Sequence, residues 1–199
     1  MAVRSLSSAD RGLPGAHRVA GPAAGAESDS ALLPHSLRPR LAAIAPSVVE
    51  AVRFAGGWLF DQVMAGWDVT VLTAGEADAR PAQILGARVA DLEAILARRV
   101  RGSCLQGIVV REDLYDSDAR VRRMVREALD GGLAEVRLWG EGSPATFGEP
   151  GGLVWHRLSV ATQAFKAQAL AAAAVSAGAG LDTEVLRSAA RCPSLVPAR

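Results

Sequence analysis

The sequence is short of most of the residues that carry chemistry. It has one lysine, Lys166, so amine chemistry and the lysine of a phosphate-binding GxxxxGK[ST] loop are missing from nearly the whole chain. Without that loop, hydrolysis of the P-loop type is excluded. There are three histidines, at 17, 35 and 156, and two cysteines, at 104 and 192, with no CxxC, HExxH or mixed Cys/His spacing. That argues against a zinc site and a disulfide framework, and for a reducing, cytoplasmic setting. No GxSxG nucleophile turn occurs. No uninterrupted apolar run approaches the roughly 18–20 residues that span a bilayer, so a soluble protein is expected and no membrane partner. The formal net charge of +1 predicts no general attraction to nucleic acid, and direct DNA contact is left open.

What is present is the alternation of an α/β domain. Residues 1–38 are rich in Ser, Gly, Ala and Pro without periodicity and are expected to form a flexible tail. A single domain is expected over 39–175, with 176–199 as a loop-like tail holding one short helix near Thr183–Ala190. Pro46-Ser47 starts a helix that runs to Ala65, broken near its middle by Gly56-Gly57. Leu41–Ala45 read as a turn of helix ahead of it. A buried strand, Asp68–Leu72, follows, with Trp58 and Trp67 assigned to core packing. Pro81–Leu85 read as a short strand or helical turn, and the apolar set Val89, Leu92, Ile95 and Leu96 as one amphipathic helix after Gly86. Cys104–Val110 is the next strand. A helix capped by Asp116 or Ser117 comes after it, its arginines 120, 122, 123 and 126 mostly in solvent. Glu135–Trp139 and Leu153–Leu158 are strands, and Ser159 caps an Ala-rich helix to Val175.

Two loops are candidate ligand sites. Thr73–Arg80 lies at the carboxyl end of its strand, where open α/β sheets bind ligands, and Arg111–Asp113 ends the next strong strand. His156 is paired in sequence only with Glu141 and Glu149, and a strand-edge role is expected for it rather than general-base work. Asp113, Asp116 and Asp118 suit a helix N-terminus better than a metal loop.

The order of these elements resembles the RecA family read from just after its phosphate loop. In that family an acidic residue ends the strand matching Gly107–Val110; here Arg111 stands there and Glu112-Asp113 lie beyond it. The resemblance implies an α/β, RecA-like three-layer core with a mostly parallel sheet, no Walker motifs and a C-terminal helix. Two stretches, Ala45–Phe54 running into Gly66–Leu72 and His156–Val160 running into Ala164–Leu170, resemble the ImuA-prime proteins of the actinobacterial mutasome. That resemblance implies a cytoplasmic, non-catalytic adaptor in damage-induced translesion synthesis, mutagenesis and the SOS response, without cofactor or metal. Its partners would be ImuB and, directly or through it, an error-prone DnaE-type polymerase. On physical grounds the late helix is the candidate partner interface, through Val160, Phe165, Lys166, Gln168 and Leu170. The alternatives are an α/β small-ligand-binding protein or enzyme, and a SulA-like cell-division inhibitor.

Overall fold

The computed structural model describes residues 38–75, 77–97, 105–130, 135–140, 152–176 and 182–188. The expected tail, His17, His35, Cys104, Cys192, Glu141 and Glu149 lie outside them, apart from residue 38. In chain order the elements are β1 (Arg40–Ile44), α1 (Val48–Met64), β2 (Asp68–Thr73), α2 (Arg80–Ile84), β3 (Arg88–Asp91) and α3 (Leu92–Ala97). They continue as β4 (Leu105–Arg111), α4 (Glu112–Ser117), α5 (Ala119–Asp130), β5 (Glu135–Trp139), β6 (Leu153–Arg157), α6 (Val160–Ala172) and β7 (Thr183–Ser188).

The strands form one seven-stranded sheet in the order β3-β2-β1-β4-β5-β7-β6. The first five run parallel, and β7 enters antiparallel between β5 and β6. This is an α/β fold with a mostly parallel sheet and helices on both faces. Its strand order 3-2-1-4-5 is that of a doubly wound sheet, whose direction of winding reverses between β1 and β4. Alternation along β1 shows the layering. Leu41 and Ala43 pack under α1, α2 and α6, whereas Ala42 and Ile44 face the layer of α3, α4 and α5. No helix among the described residues is long and apolar enough to cross a membrane.

Three expectations are corrected. Leu41–Ile44 is not helical: it belongs to β1, the middle one of the five parallel strands, buried along its whole length between β2 and β4. Arg88–Asp91 is the edge strand β3, and the helix expected there begins only at Leu92. Thr183–Ser188 is a strand rather than a helix, so the sheet extends past residue 175. Pro81–Leu85 resolves as helical, in α2, which ends at Ile84.

Gly56-Gly57 does not end α1, yet Gly57 is the point through which other elements reach it. The buried Glu184 carboxylate of β7 accepts the N–H groups of Gly57 and Trp58, both at 2.8 Å, and pairs with Lys166 Nζ of α6 at 2.6 Å. A Cβ at Gly57 would lie 2.4 Å from Leu158, the residue that turns β6 into α6. Glycine lets that corner close onto α1. Gly57→Ala is expected to lower stability by about 1–3 kcal/mol through overpacking. Glu184→Gln, which strands the Lys166 charge in the core, is expected to lower it by about 3–5 kcal/mol. Urea unfolding of each variant measures both.

Candidate functional site

Parallel strands bring five carboxyl ends to one edge of the sheet, and two neighbouring centres form there. At the first, the Ala45 N–H donates to the Leu72 carbonyl at 3.1 Å, drawing the ends of β1 and β2 together. Ser47 then caps α1, its hydroxyl accepting the Glu50 N–H at 3.2 Å. The amides of Val48 and Val49 stand in the first turn, whose N–H groups a helix leaves without internal partners. Across from them Thr73 ends β2, and Asp78 turns the chain into α2 by accepting the Arg80 N–H at 2.9 Å. The space between is a cleft of about 240 Å³, walled by Ser47, Val48, Val49, Thr73, Ala77 and Asp78 with Ala173 from the end of α6. Thr73 is buried in this wall, and among the described residues its Oγ1 has no hydrogen-bond partner. The walls thus combine small apolar side chains with donors and one carboxylate.

At the second centre, where the winding reverses, an ion pair joins the end of β4 to the first turn of α1. Arg111 at the end of β4 donates to Glu50 at 2.6 Å, and its Nε lies 3.1 Å from Asp113. The guanidinium also sits 5.5 Å from the centre of the half-exposed Phe54 ring, within cation–π range. Beside it Glu112 is buried, with Oε1 accepting from Arg187 Nε at 3.2 Å and Oε2, among the described residues, without a hydrogen-bond partner. Gly140, at φ +140°, leaves that oxygen room, since a Cβ there would lie 3.3 Å from it. The two loops singled out in the sequence therefore converge on one edge, Thr73, Ala74, Ala77 and Asp78 walling the cleft and Arg111–Asp113 the ion-paired crevice.

The candidate interface residues do not form a single surface. Val160 is 84 % exposed and Phe165 45 %, and Gln168 is also exposed. Lys166 and Leu170 are buried and leave the set, because one pairs with Glu184 and the other packs in the α1–α6 core. Phe165 further stacks on Phe60 of α1, ring centres 4.6 Å apart. His156 does meet a carboxylate, Asp61 at 2.7 Å, one that sequence proximity does not suggest because it comes from α1. Ser47 was legible only as a helix cap. Among the described residues no group of three His, Cys, Asp or Glu side chains is placed to hold a metal.

Comparison with known proteins gives a fold and no family. No family model matches the chain, and no curated protein does. Among solved structures it is similar to Dbv21, a deacetylase of the A40926 pseudoaglycone, at 15% identity and a TM-score of 0.51 over 76% of this chain and 97% of that one. A deacetylase of the teicoplanin biosynthetic pathway, Orf2, matches as a triple mutant at 15% identity and 0.51, over 75% and 97%. Its complex with teicoplanin matches at 14% and 0.50, with the same coverage. At these identities the likeness shows the fold alone.

It nonetheless overturns the expectation that the chain is not an enzyme. That expectation rested on a nucleotide-hydrolysing fold stripped of its phosphate loop. The fold is one that deacetylases use, so the missing phosphate loop says nothing about activities other than P-loop hydrolysis.

A third charged cluster lies between α3 and α5. Arg120 bonds both Asp118 and Glu93, at 2.8 and 2.7 Å. The Arg120 hydrogen bonds hold the Asp118 carboxyl down to about 2, from an ordinary 3.8, and lower that of Glu93. A depressed carboxyl stabilises the fold above its ordinary value and stops doing so as pH falls through the folded one. Arg120→Ala is therefore expected to be less stable than the parent at neutral pH, by a small, salt-screened margin. The gap should close between about pH 4 and pH 2, as followed by thermal unfolding across pH.

Proposed function

We propose that the chain is an α/β protein that binds a small polar molecule in the cleft between Ser47 and Thr73. The observation that carries this reading is the cleft itself: at the carboxyl ends of β1 and β2, it joins helix-start amides, the Thr73 hydroxyl and the Asp78 carboxylate around small apolar residues. Ligands of doubly wound sheets bind at that edge. At about 240 Å³ the space falls below the roughly 300–1,000 Å³ of drug-sized sites, which favours a small ligand or one arm of a larger one. The reading includes an enzyme acting on that molecule. Removal of an acetyl group is the first activity to assay, because the solved structures of similar fold are deacetylases.

A thermal-shift screen of acetylated amines, hydroxy acids and polyols tests the proposal, with Ala77→Trp as the control. Ala77 is exposed and walls the cleft, so the indole is expected to fill it and abolish the shift without moving the melting midpoint of the free protein. A compound that shifts parent and variant equally binds elsewhere, and a screen in which every shift behaves so would contradict the reading.

The exposed Val160, Phe165 and Gln168 of α6 favour a second reading, a mutasome adaptor that contacts ImuB, to which the RecA-like assignment belongs. It rests on the two resembling stretches and would be supported by co-purification with ImuB that a Val160→Asp, Phe165→Asp variant loses.

A further inference from the structure

Strand β6 closes one end of the sheet. On one side it bonds to β7; among the described residues, no strand bonds to the other. The bonds that flank the β6–β7 pairing fix its phase. The Ser188 N–H donates to the Gly152 carbonyl at 3.2 Å, and the Leu158 N–H to the Asp182 carbonyl at 2.8 Å. In an antiparallel ladder, residues alternate between exchanging bonds with the partner strand and turning their N–H and C=O groups away from it. Val154 and His156 therefore face β7, and the backbone groups of Leu153, Trp155 and Arg157 point to the open edge.

This edge has almost none of the protection that soluble sheets give an end strand. It carries no proline and no lysine, and its one formal charge is Arg157. Trp155 is opposite Val185 and shares a sheet face with it and Leu153. Trp155 is 68 % exposed, Leu153 51 % and Val185 39 %.

We propose that β6 pairs antiparallel with β6 of a second copy of this chain, about a two-fold axis at Trp155. The outward residues map onto themselves under that axis. Trp155 meets Trp155 and Leu153 meets Arg157, and about six backbone hydrogen bonds join the sheets. Charge selects the register. With the axis at Trp155 each Arg157 faces a leucine, whereas an axis at Arg157 sets two guanidinium groups opposite each other, and a parallel pairing in register makes them neighbours. The edge lies away from the Ser47–Thr73 cleft, and the proposal does not depend on the ligand reading.

Sedimentation of the full chain across micromolar concentrations tests it. The 20.7 kDa chain is expected to run as a dimer. Trp155→Pro should make it a monomer with an unchanged circular-dichroism spectrum, since the N–H that proline removes faces the open edge and not β7. A second variant decides the matter should that one fail to fold. In a Cys104→Ser, Cys192→Ser background, Trp155→Cys is expected to cross-link to itself with a short bismaleimide, and a cysteine at the exposed Met64 is not. A monomer at every concentration overturns the proposal, whether Trp155 is then shielded by another segment of this chain or open to acrylamide quenching. So does a dimer that Trp155→Pro leaves intact, or one that cross-links through Met64→Cys and not Trp155→Cys.

Discussion

The fold depends most on one buried carboxylate. Glu184 enters the core from β7 and makes three bonds there, two to backbone amides in α1 and one to the Lys166 ammonium of α6. A charge removed from water is tolerated only when its partners satisfy it, and here they come from two helices, α1 and α6. Strand β7 is thereby held in place, α6 is packed against α1, and the β6–α6 corner at Leu158 closes over Gly57. The positions of Asp61, His156 and Thr162 follow from that closure, with the Asp61 carboxylate taking His156 on one oxygen and the Thr162 hydroxyl on the other, both at 2.7 Å.

The same arrangement explains what the sequence hides. Helix α1 and helix α6 were legible because Ser47 and Ser159 cap them, each accepting an amide three residues on. Strand β1 was not, because Leu41-Ala42-Ala43-Ile44 is rich in alanine, a poor strand former, and runs almost directly into a helix start. Strand β3 passes into α3 without a turn, so Val89, Leu92 and Ile95 keep a helical spacing across two elements. β7 places glutamate at a core position, where a period-two pattern asks for an apolar residue, so its sequence reads as a helix. Packing context decided each of these, and local propensity did not.

The candidate site was half visible. Its edge follows from strand direction, and Thr73–Arg80 was located from that rule alone. The partner wall was not, since Ser47, Val48 and Val49 read as the start of a helix until β1 is known to lie beside β2. The Arg111–Glu50 pair likewise joins residues 61 positions apart. It sits at the reversal of winding, where a doubly wound sheet opens its crevice, and the Ser47–Thr73 cleft lies beside it on the same edge.

In the function proposed above, this cleft is the ligand-binding part of the molecule. The most direct measurement is a titration of the isotope-labelled chain with acetate, the product common to deacetylations, followed through backbone amide resonances. Saturable shifts confined to Val48, Val49 and Ala74–Asp78 are the predicted result. Shifts that gather instead around Arg111–Asp113, or none at the cleft up to concentrations at which simple carboxylates bind non-specifically, would contradict it.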